Sequence, residues 1–198
     1  MSLEPPFPSS LSRGGTALAA AAVVVGLASP ARAVERENHL GVDLGGSALI
    51  VSDKSAPDIG PSFGAHWAYG LNDAFNLMVE AAWSLASATD RPGPKIPSTR
   101  PAWVANAQVG VGYVFDVLQW VPYAGLLIGG NALSGGTLDH ATILPRVIIA
   151  LGLDYRLEPN LTVGIALRQH VMPADVFESS TYPSFTQAYL RGEYTWGW

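Results

Sequence analysis

The stretch FNLMVEAAWSLAS, residues 75–87, alternates apolar and polar side chains almost without interruption. A period of two is typical of a β-strand that presents two different faces. One face carries Asn76, Met78, Glu80 and Ser84, and the other carries Phe75, Leu77, Val79, Ala81, Trp83 and Leu85. The stretch is longer than the ~9–11 residues with which a tilted strand crosses a bilayer. It therefore predicts one long strand that spans a membrane.

Seven further segments repeat this pattern along the chain. The eight predicted strands are about Asn38–Val51, Ile59–Gly70, Phe75–Ser87, Ala102–Phe115, Val121–Leu133, Arg146–Leu157, Leu161–Met172 and Ser184–Trp198. The fifth segment is apolar at nearly every position, so its two faces stay unassigned. Strands of soluble sheets are usually about 5–6 residues long, and these are longer. We predict an all-β fold, a closed antiparallel eight-stranded transmembrane β-barrel with up-and-down topology.

The composition agrees with such a barrel. Hydrophobic residues make up 48% of the 198 residues and charged residues only 14%, whereas about a quarter of a soluble domain is charged. Beyond the N-terminal segment, no apolar run approaches the ~20 residues that a spanning helix needs. A barrel reconciles these two observations, because only every second residue of a strand faces the lipid.

The connections between the predicted strands alternate in length. Short turns are predicted at Gly70–Ala74, Asp116–Trp120 and Glu158–Asn160, and mostly longer loops at Lys54–Asp58, Ala88–Pro101, Ser134–Pro145 and Pro173–Pro183. Outer-membrane barrels have short turns on the periplasmic side and long loops outside. We therefore expect extracellular loops and periplasmic termini. Aromatic residues, which favour the headgroup level, gather on the short-turn side as Trp67, Tyr69, Phe75, Tyr113, Phe115, Trp120, Tyr123, Tyr155, Tyr194, Trp196 and Trp198.

The N-terminal segment has the features of an export signal. Arg13 precedes the apolar run TALAAAAVVVGLAS, residues 16–29, and the small-residue site Ala-Arg-Ala follows at residues 31–33. A basic flank, a short apolar core and such a site predict a cleaved secretory signal. We assign residues 1–33 to the signal and residues 34–198 to the barrel domain. The alternative, an anchoring helix, is disfavoured because the run is short and Pro30 ends it.

Several classes of function are excluded by residues that the chain lacks. There is no cysteine, which excludes disulfides and thiolate chemistry. The formal net charge of −5 and the absence of any lysine or arginine cluster argue against nucleic acid as a partner. The usual nucleotide-binding and metal-binding motifs are also absent. We therefore predict no cofactor and no metal site.

Three short motifs and the C-terminus resemble the small outer-membrane β-barrel family, of the OmpA and OmpX transmembrane-domain kind. The motifs are YGLNDAF at residues 69–75, VPYAG at 121–125 and DYRLEPNL at 154–161. Tyr194, Trp196 and Trp198 resemble the terminal aromatic signature that the barrel-assembly machinery reads in that family. The resemblance covers residues 34–198. It implies a Gram-negative outer-membrane location, with outer-membrane lipid and the assembly machinery as partners.

Charged residues on the polar faces of the strands form the candidate site. They are Asp43, Glu80, Asp154, Arg156, Arg168, Arg191 and Glu193. Buried charges need partners, and an eight-stranded barrel is about filled by its own side chains. We therefore expect an ion-paired network that largely closes the lumen. The alternative is a small conductance or a gate, for which the many inward glycines could leave space.

The four histidines are further candidates for functional residues. His66 and His170 are predicted to face the lumen at opposite ends, as hydrogen-bonded fillers and not as ligands of a shared metal. His39 and His140 are predicted to be exposed to solvent. A lipid-modifying enzyme would need a serine nucleophile beside a base, and the candidates are His170 with Ser84, Ser87 or Ser184. The acid that would orient His170 is missing beside it in the sequence.

The leading prediction is an integral outer-membrane barrel with a structural or surface-interaction role, acting as a monomer and without catalysis. A surface partner would bind the outer loops, of which ATDRPGPKIPSTRP, residues 88–101, is rich in proline and mixed in charge. The first alternative is a narrow channel for small or hydrophobic solutes, of the OmpW kind. The second alternative is the lipid-modifying enzyme.

Overall fold

The computed structural model of the protein describes residues 36–50, 57–86, 101–115, 119–136, 138–171 and 184–197. The predicted export signal, most of the predicted loop residues and Trp198 lie outside these ranges. Within them, no helix is long and apolar enough to cross a membrane.

Eight antiparallel strands close into a barrel, which confirms the predicted fold class. The strands are β1 (Asn38–Ile50), β2 (Asp58–Gly70), β3 (Phe75–Leu85), β4 (Trp103–Val114), β5 (Trp120–Ser134), β6 (Thr142–Glu158), β7 (Leu161–Val171) and β8 (Ser184–Trp196). Each strand pairs with the next one in sequence, and β8 pairs with β1. Closure leaves no edge with unpaired backbone groups. A sheet must lack such an edge if it is to lie in lipid.

Strand β6 begins earlier than its sequence indicated. The predicted loop Ser134–Pro145 is wrong in extent, because β6 starts at Thr142, which pairs with Leu133. Proline usually interrupts a strand by removing a backbone donor. Here Pro145 lies opposite Gly130, with its ring exposed on the outer face.

The sheet is apolar on its outer face and polar on its inner face, which is the reverse of a soluble protein. Large apolar side chains cover the outside, for example Leu44, Ile128 and Leu190, which are 64%, 63% and 69% exposed. Charged and polar side chains fill the inside, for example Arg168 at 2% exposure and Gln187 at 0%. Such a barrel is stable only where its outside meets an apolar solvent.

The faces of β5, which its sequence left open, are clear in the structure. Leu126 and Ile128 point outward, whereas Tyr123, Leu127 and Asn131 point inward. Tyr123 was predicted to belong to the aromatic rim, and that prediction is wrong, because its ring is 6% exposed and lies in the lumen. Asn131 is the polar residue that sets the inward parity of this strand.

The two ends of the barrel differ. We call the end at which β2 is joined to β3 and β6 to β7 the turn end, and the opposite end the loop end. At the turn end, Asn72 Oδ1 accepts hydrogen bonds from the backbone amides of Ala74 and Phe75, each at 2.9 Å. An asparagine that bonds to the backbone two residues ahead closes a tight turn.

Aromatic rings form contacts around the outside of the turn end. The ring pairs are Trp67–Tyr69, Phe75–Tyr113, Tyr113–Phe115, Trp120–Tyr155 and Tyr194–Trp196. This arrangement is typical of the aromatic belt at a membrane–water interface. The belt therefore marks the height at which the apolar outer surface ends.

An arginine on the outer surface should be costly only where that surface lies deep in lipid. Leu151 is far from both ends of β6 and 46% exposed, whereas Leu157 is 52% exposed near the turn end. We expect Leu151→Arg to lower the free energy of unfolding by about 2–4 kcal/mol and Leu157→Arg by about 0–1 kcal/mol. Urea titration of the barrel in lipid vesicles measures both values. Equal values for the two variants would contradict the assigned membrane depth.

Candidate functional site

A guanidinium–carboxylate pair crosses the lumen between opposite walls of the barrel. Arg168 on β7 donates from Nη2 to Glu80 Oε1 at 2.6 Å and from Nε to Glu80 Oε2 at 2.8 Å. Gln108 adds a bond from Nε2 to Glu80 Oε2 at 2.8 Å. Strands β3 and β7 are diametrically opposed in the ring of eight. Bidentate arginine–carboxylate pairs are strong and directional, so this pair ties the two walls together.

Tyr123 on β5 joins this pair to a second arginine. Its hydroxyl oxygen accepts a hydrogen bond from Arg168 Nη2 at 3.1 Å and another from Arg191 Nη1. The two guanidinium carbons also lie 5.6 Å and 5.1 Å from the centroid of its ring. The face of an aromatic ring attracts cations at such distances. One tyrosine therefore contacts both guanidinium groups and offsets part of the repulsion between their positive charges.

Arg191 on β8 is surrounded by three carboxylates. Its nitrogens lie 3.4 Å from Glu193 Oε2, 3.6 Å from Asp43 Oδ1 and 3.8 Å from Asp154 Oδ2. His66 bridges two of these acids, with Nδ1 2.9 Å from Asp43 Oδ2 and Nε2 3.1 Å from Glu193 Oε2. The ring of His66 therefore links β1, β2 and β8 on the side of the lumen away from Tyr123.

These contacts form one continuous set, which we call the lumen network, and every strand contributes to it. In strand order its members are Asp43, His66, Glu80, Gln108, Tyr123, Asp154, Arg168, Arg191 and Glu193. All of them are buried. Removing a charge from water costs several kcal/mol unless partners compensate, so the contacts hold the walls at fixed positions as well as filling the space between them.

Two inward glycines provide room for rings of the lumen network. Gly152 pairs with Tyr123 across β5 and β6, and a Cβ at this position would lie 2.2 Å from the tyrosine ring. Gly41 pairs with His66, and its Cβ would lie 2.3 Å from that ring. A ring that covers a cross-strand glycine is a known stabilising device in curved sheets. The space at these two glycines is therefore occupied and forms no part of an open path.

An uncharged cluster lies on the loop-end side of the lumen network. Ser62 Oγ lies 2.7 Å from Ser84 Oγ and 2.8 Å from the Tyr189 hydroxyl. Gln187 donates from Nε2 to both serines, at 3.2 Å and 3.0 Å, and its Oε1 lies 3.0 Å from His170 Nε2. Closer still to the loop end, an apolar cluster fills the lumen with Leu49, Val104 and Phe185, against which Leu133 packs.

The serine–histidine arrangement of a lipid-modifying enzyme does not form among the described residues. His170 Nε2 faces the amide oxygen of Gln187, whose nitrogen in turn bonds to Ser84. Ser184 accepts a hydrogen bond from Gln169 at 3.0 Å, and Ser87 lies outside the described ranges. In the same ranges, no group of histidine and acidic residues could hold a metal ion.

The structure brings most of the predicted charges together, but not all of them. Asp43, Glu80, Asp154, Arg168, Arg191 and Glu193 meet in the lumen network, as does His66. The side chain of Arg156 makes no hydrogen bond or ion pair with any described residue and lines the turn end of the lumen instead. His170 belongs to the uncharged cluster. Tyr194 and Trp196 lie on the outer face at 53% and 40% exposure.

Two residues that lie in the lumen were not among the predicted site residues. His39 was predicted to be exposed, and that is wrong, because its side chain is 16% exposed and its Nδ1 lies 2.8 Å from Glu193 Oε1. The alternation of β1 already indicated an inward position for His39, since this residue has the same parity as Asp43. His140 is exposed, as predicted. Gln108, the second missed residue, follows the same inward parity as Asn106 on β4.

A cavity of about 60 Å³ lies between the lumen network and the turn end. By the same measure one water molecule needs ~10–15 Å³, so several waters or a small solute would fit. We call it the turn-end cavity. Apolar side chains line one part of its wall, namely Ala68, Met78, Val114, Val121 and Tyr123. Charged or ionisable side chains line another, namely Glu37, His39, Asp154, Arg156, Arg191 and Glu193.

Removing the charge of either Glu80 or Arg168 alone should strongly destabilise the barrel. We expect Glu80→Gln or Arg168→Gln alone to lower the free energy of unfolding by about 3–5 kcal/mol, because each leaves a buried partner uncompensated. The double variant should cost less than the sum of the two. Urea titration in lipid vesicles gives all three values. Glu158→Gln, at an exposed position of β6, is the control, and strict additivity would show that the pair does not act as a unit.

Comparisons with solved structures reveal the same fold in several outer-membrane barrels. The Ail attachment invasion locus protein of Yersinia pestis superposes with a TM-score of 0.56 at 15% identity, over 82% of this chain and 100% of that one. Neisserial surface protein A gives 0.60 at 16% identity, over 79% and 95%. The N-terminal barrel domain of Pseudomonas aeruginosa OprF gives 0.55 at 11% identity, over 82% and 98%.

A sequence search among curated proteins finds no match. The family model for the outer membrane protein beta-barrel domain, however, matches residues 18–176, which is most of the chain. At such low identities the solved structures show the fold alone, and they agree with that match. The chain therefore belongs to the outer membrane protein beta-barrel domain family and is a barrel of the bacterial outer membrane.

Proposed function

We propose that this protein is a closed barrel that acts through its outer surface and loops, without solute flow and without catalysis. In this proposal the turn end faces the periplasm and the loop end faces outside, as the distribution of short and long connections indicates. The observation that supports it best is the lumen network, because side chains from all eight strands meet in it.

The contacts in the network make opening of the lumen unfavourable. A continuous path along the barrel axis requires separating Glu80 from Arg168, which span opposite walls. Leaving one of two buried charges without its partner costs about 3–5 kcal/mol. At 1.4 kcal/mol per factor of ten, this keeps only about one molecule in a hundred to one in several thousand open. The uncharged and apolar clusters above the pair add further layers that would also have to move.

A surface role would use the parts of the barrel that project from the membrane. Ail and neisserial surface protein A carry names that refer to attachment and to the surface, and their likeness to this chain is one of fold. The support within this chain is that a lumen without a path leaves the loops and the lipid-facing wall as the surfaces on which another macromolecule could bind. Most of residues 88–101, the longest predicted loop, lie outside the described ranges.

Single-channel recording tests whether the lumen is closed. We expect the protein, purified from outer membranes and inserted in a planar bilayer, to give no current steps. The double variant Glu80→Ala/Arg168→Ala should give brief and infrequent steps, because it removes the link between opposite walls while the uncharged and apolar clusters remain. Gln169 is next to Arg168 in sequence, but its half-buried side chain lies on the outer face. Gln169→Ala is therefore the matched control and should give no current steps.

Regular current steps from the unaltered protein would overturn the closed-barrel proposal. They would favour the narrow-channel alternative, and their dependence on Glu80 and Arg168 would make that pair a gate. Correct folding of each variant is checked beforehand by the heat-modifiable shift that intact barrels show on gels.

The proposed orientation can be tested because the chain has no cysteine of its own. We expect a membrane-impermeant maleimide to label Lys95→Cys on intact cells. Asp73→Cys, in the exposed turn between β2 and β3, should be labelled only after the outer membrane is permeabilised. The reverse pattern would place the turn end outside.

A further inference from the structure

We infer that the turn-end cavity binds a small zwitterion that carries an apolar group, of which an apolar α-amino acid is the simplest example. The inference goes beyond the proposed function and does not depend on it, because such a molecule could bind whether or not the lumen conducts. It rests on two charged groups whose contacts are the weakest in the cavity wall and on the apolar side chains that line the same cavity.

Asp154 is the first of these two charges. The residue is 6% exposed and lines the cavity. Its Oδ1 has no hydrogen-bond partner among the described residues, and its Oδ2 lies 3.8 Å from Arg191 Nη1, beyond hydrogen-bond length. Arg191 is engaged by Tyr123, Glu193 and Asp43. A buried carboxylate that lacks donors is costly, so a ligand that brings an ammonium group would find an acceptor here.

Arg156 is the second charge. It stands two residues after Asp154 on the same strand and lines the same cavity. Residues i and i+2 of a strand lie on one face, about 6.5 Å apart along the chain. Within the described residues, the Arg156 guanidinium has neither a hydrogen bond nor an ion pair. A carboxylate is the group that best matches a guanidinium.

The remaining acids of the cavity already have partners. Glu193 lies 2.8 Å from His39 and 3.1 Å from His66, and Glu37 lies 3.6 Å from His39. The least well paired charges are therefore Asp154, whose ion pair with Arg191 spans 3.8 Å, and Arg156, both on β6. A simple cation would meet repulsion from Arg156, and a simple anion repulsion from Asp154. A molecule that carries both charges is complementary to the pair.

The apolar part of the wall supplies the third element of recognition. Met78, Val114 and Val121 come from β3, β4 and the start of β5 and line the cavity together with Tyr123. An aliphatic side chain lying against this surface would leave water, which is favourable by about 0.8 kcal/mol per buried CH₂ group. In the proposed orientation such a ligand would enter from the periplasm.

Three matched probes test the inference. L-valine carries both charges and an isopropyl group, isobutylamine lacks its carboxylate, and isovalerate lacks its ammonium. Dissociation constants are measured by NMR titration of the whole barrel in micelles. We expect valine to bind at least about tenfold more tightly than either partial probe, since each charge-assisted hydrogen bond is worth about a factor of ten.

Variants of the barrel separate specific binding from unspecific association. Asp154→Asn and Arg156→Gln should each weaken valine binding about tenfold, and Val121→Phe, which narrows the cavity without changing a charge, should abolish it. Glu158→Gln on the same strand should bind as the unaltered protein does. Absence of valine binding, binding unchanged by Asp154→Asn and Arg156→Gln, or equally tight binding of isobutylamine would each overturn the inference. A single-channel result of either kind leaves this test unaffected.

Discussion

The structure depends on one constraint, that each backbone amide and carbonyl within the bilayer must find its partner inside the protein. Eight strands meet it by pairing in a ring, with β8 returning to β1. A closed ring separates an outside from an inside, and the alternation of side chains then gives each its own chemistry. The apolar outside follows from the lipid, whereas the inside must satisfy its own charges. The bond between Glu80 and Arg168 is the central consequence of this second requirement.

The charges of the lumen also specify the register of the strands. A slip by one residue would turn the whole inward set of a strand toward lipid, where an arginine costs about 2–4 kcal/mol. Replacing buried ion pairs by apolar residues is often neutral for stability in other proteins. In this barrel such a replacement would make both faces of a strand alike. Strand β5 shows the result, because it is apolar on both faces and only Asn131 and Tyr123 distinguish them.

Alternation and turn chemistry were enough to predict the strand number, the topology and most of the inward charges from the sequence, because both signals are local. What could not be predicted depends on distances across the lumen. The sequence indicates that Arg156 and Arg168 face inward, but only the closed barrel shows that Arg168 reaches Glu80 and that Arg156 reaches no described partner. Tyr123 was misplaced because an aromatic residue near a strand end fits the membrane rim as well as it fits the lumen.

The chemical character of the groups that line the lumen changes across the barrel as well as along its axis. Near the turn end, Glu37 and strands β1, β6 and β8 contribute ionisable groups to the cavity, whereas β2, β4 and β5 contribute mostly apolar ones. A network needed only to hold the walls together would gain nothing from leaving Asp154 more weakly bonded than its neighbours, since an unmet carboxylate lowers stability. Native proteins retain such costs mainly where a solvent molecule or a ligand compensates them. This imbalance, next to apolar side chains, distinguishes the turn-end cavity from the lumen network beside it.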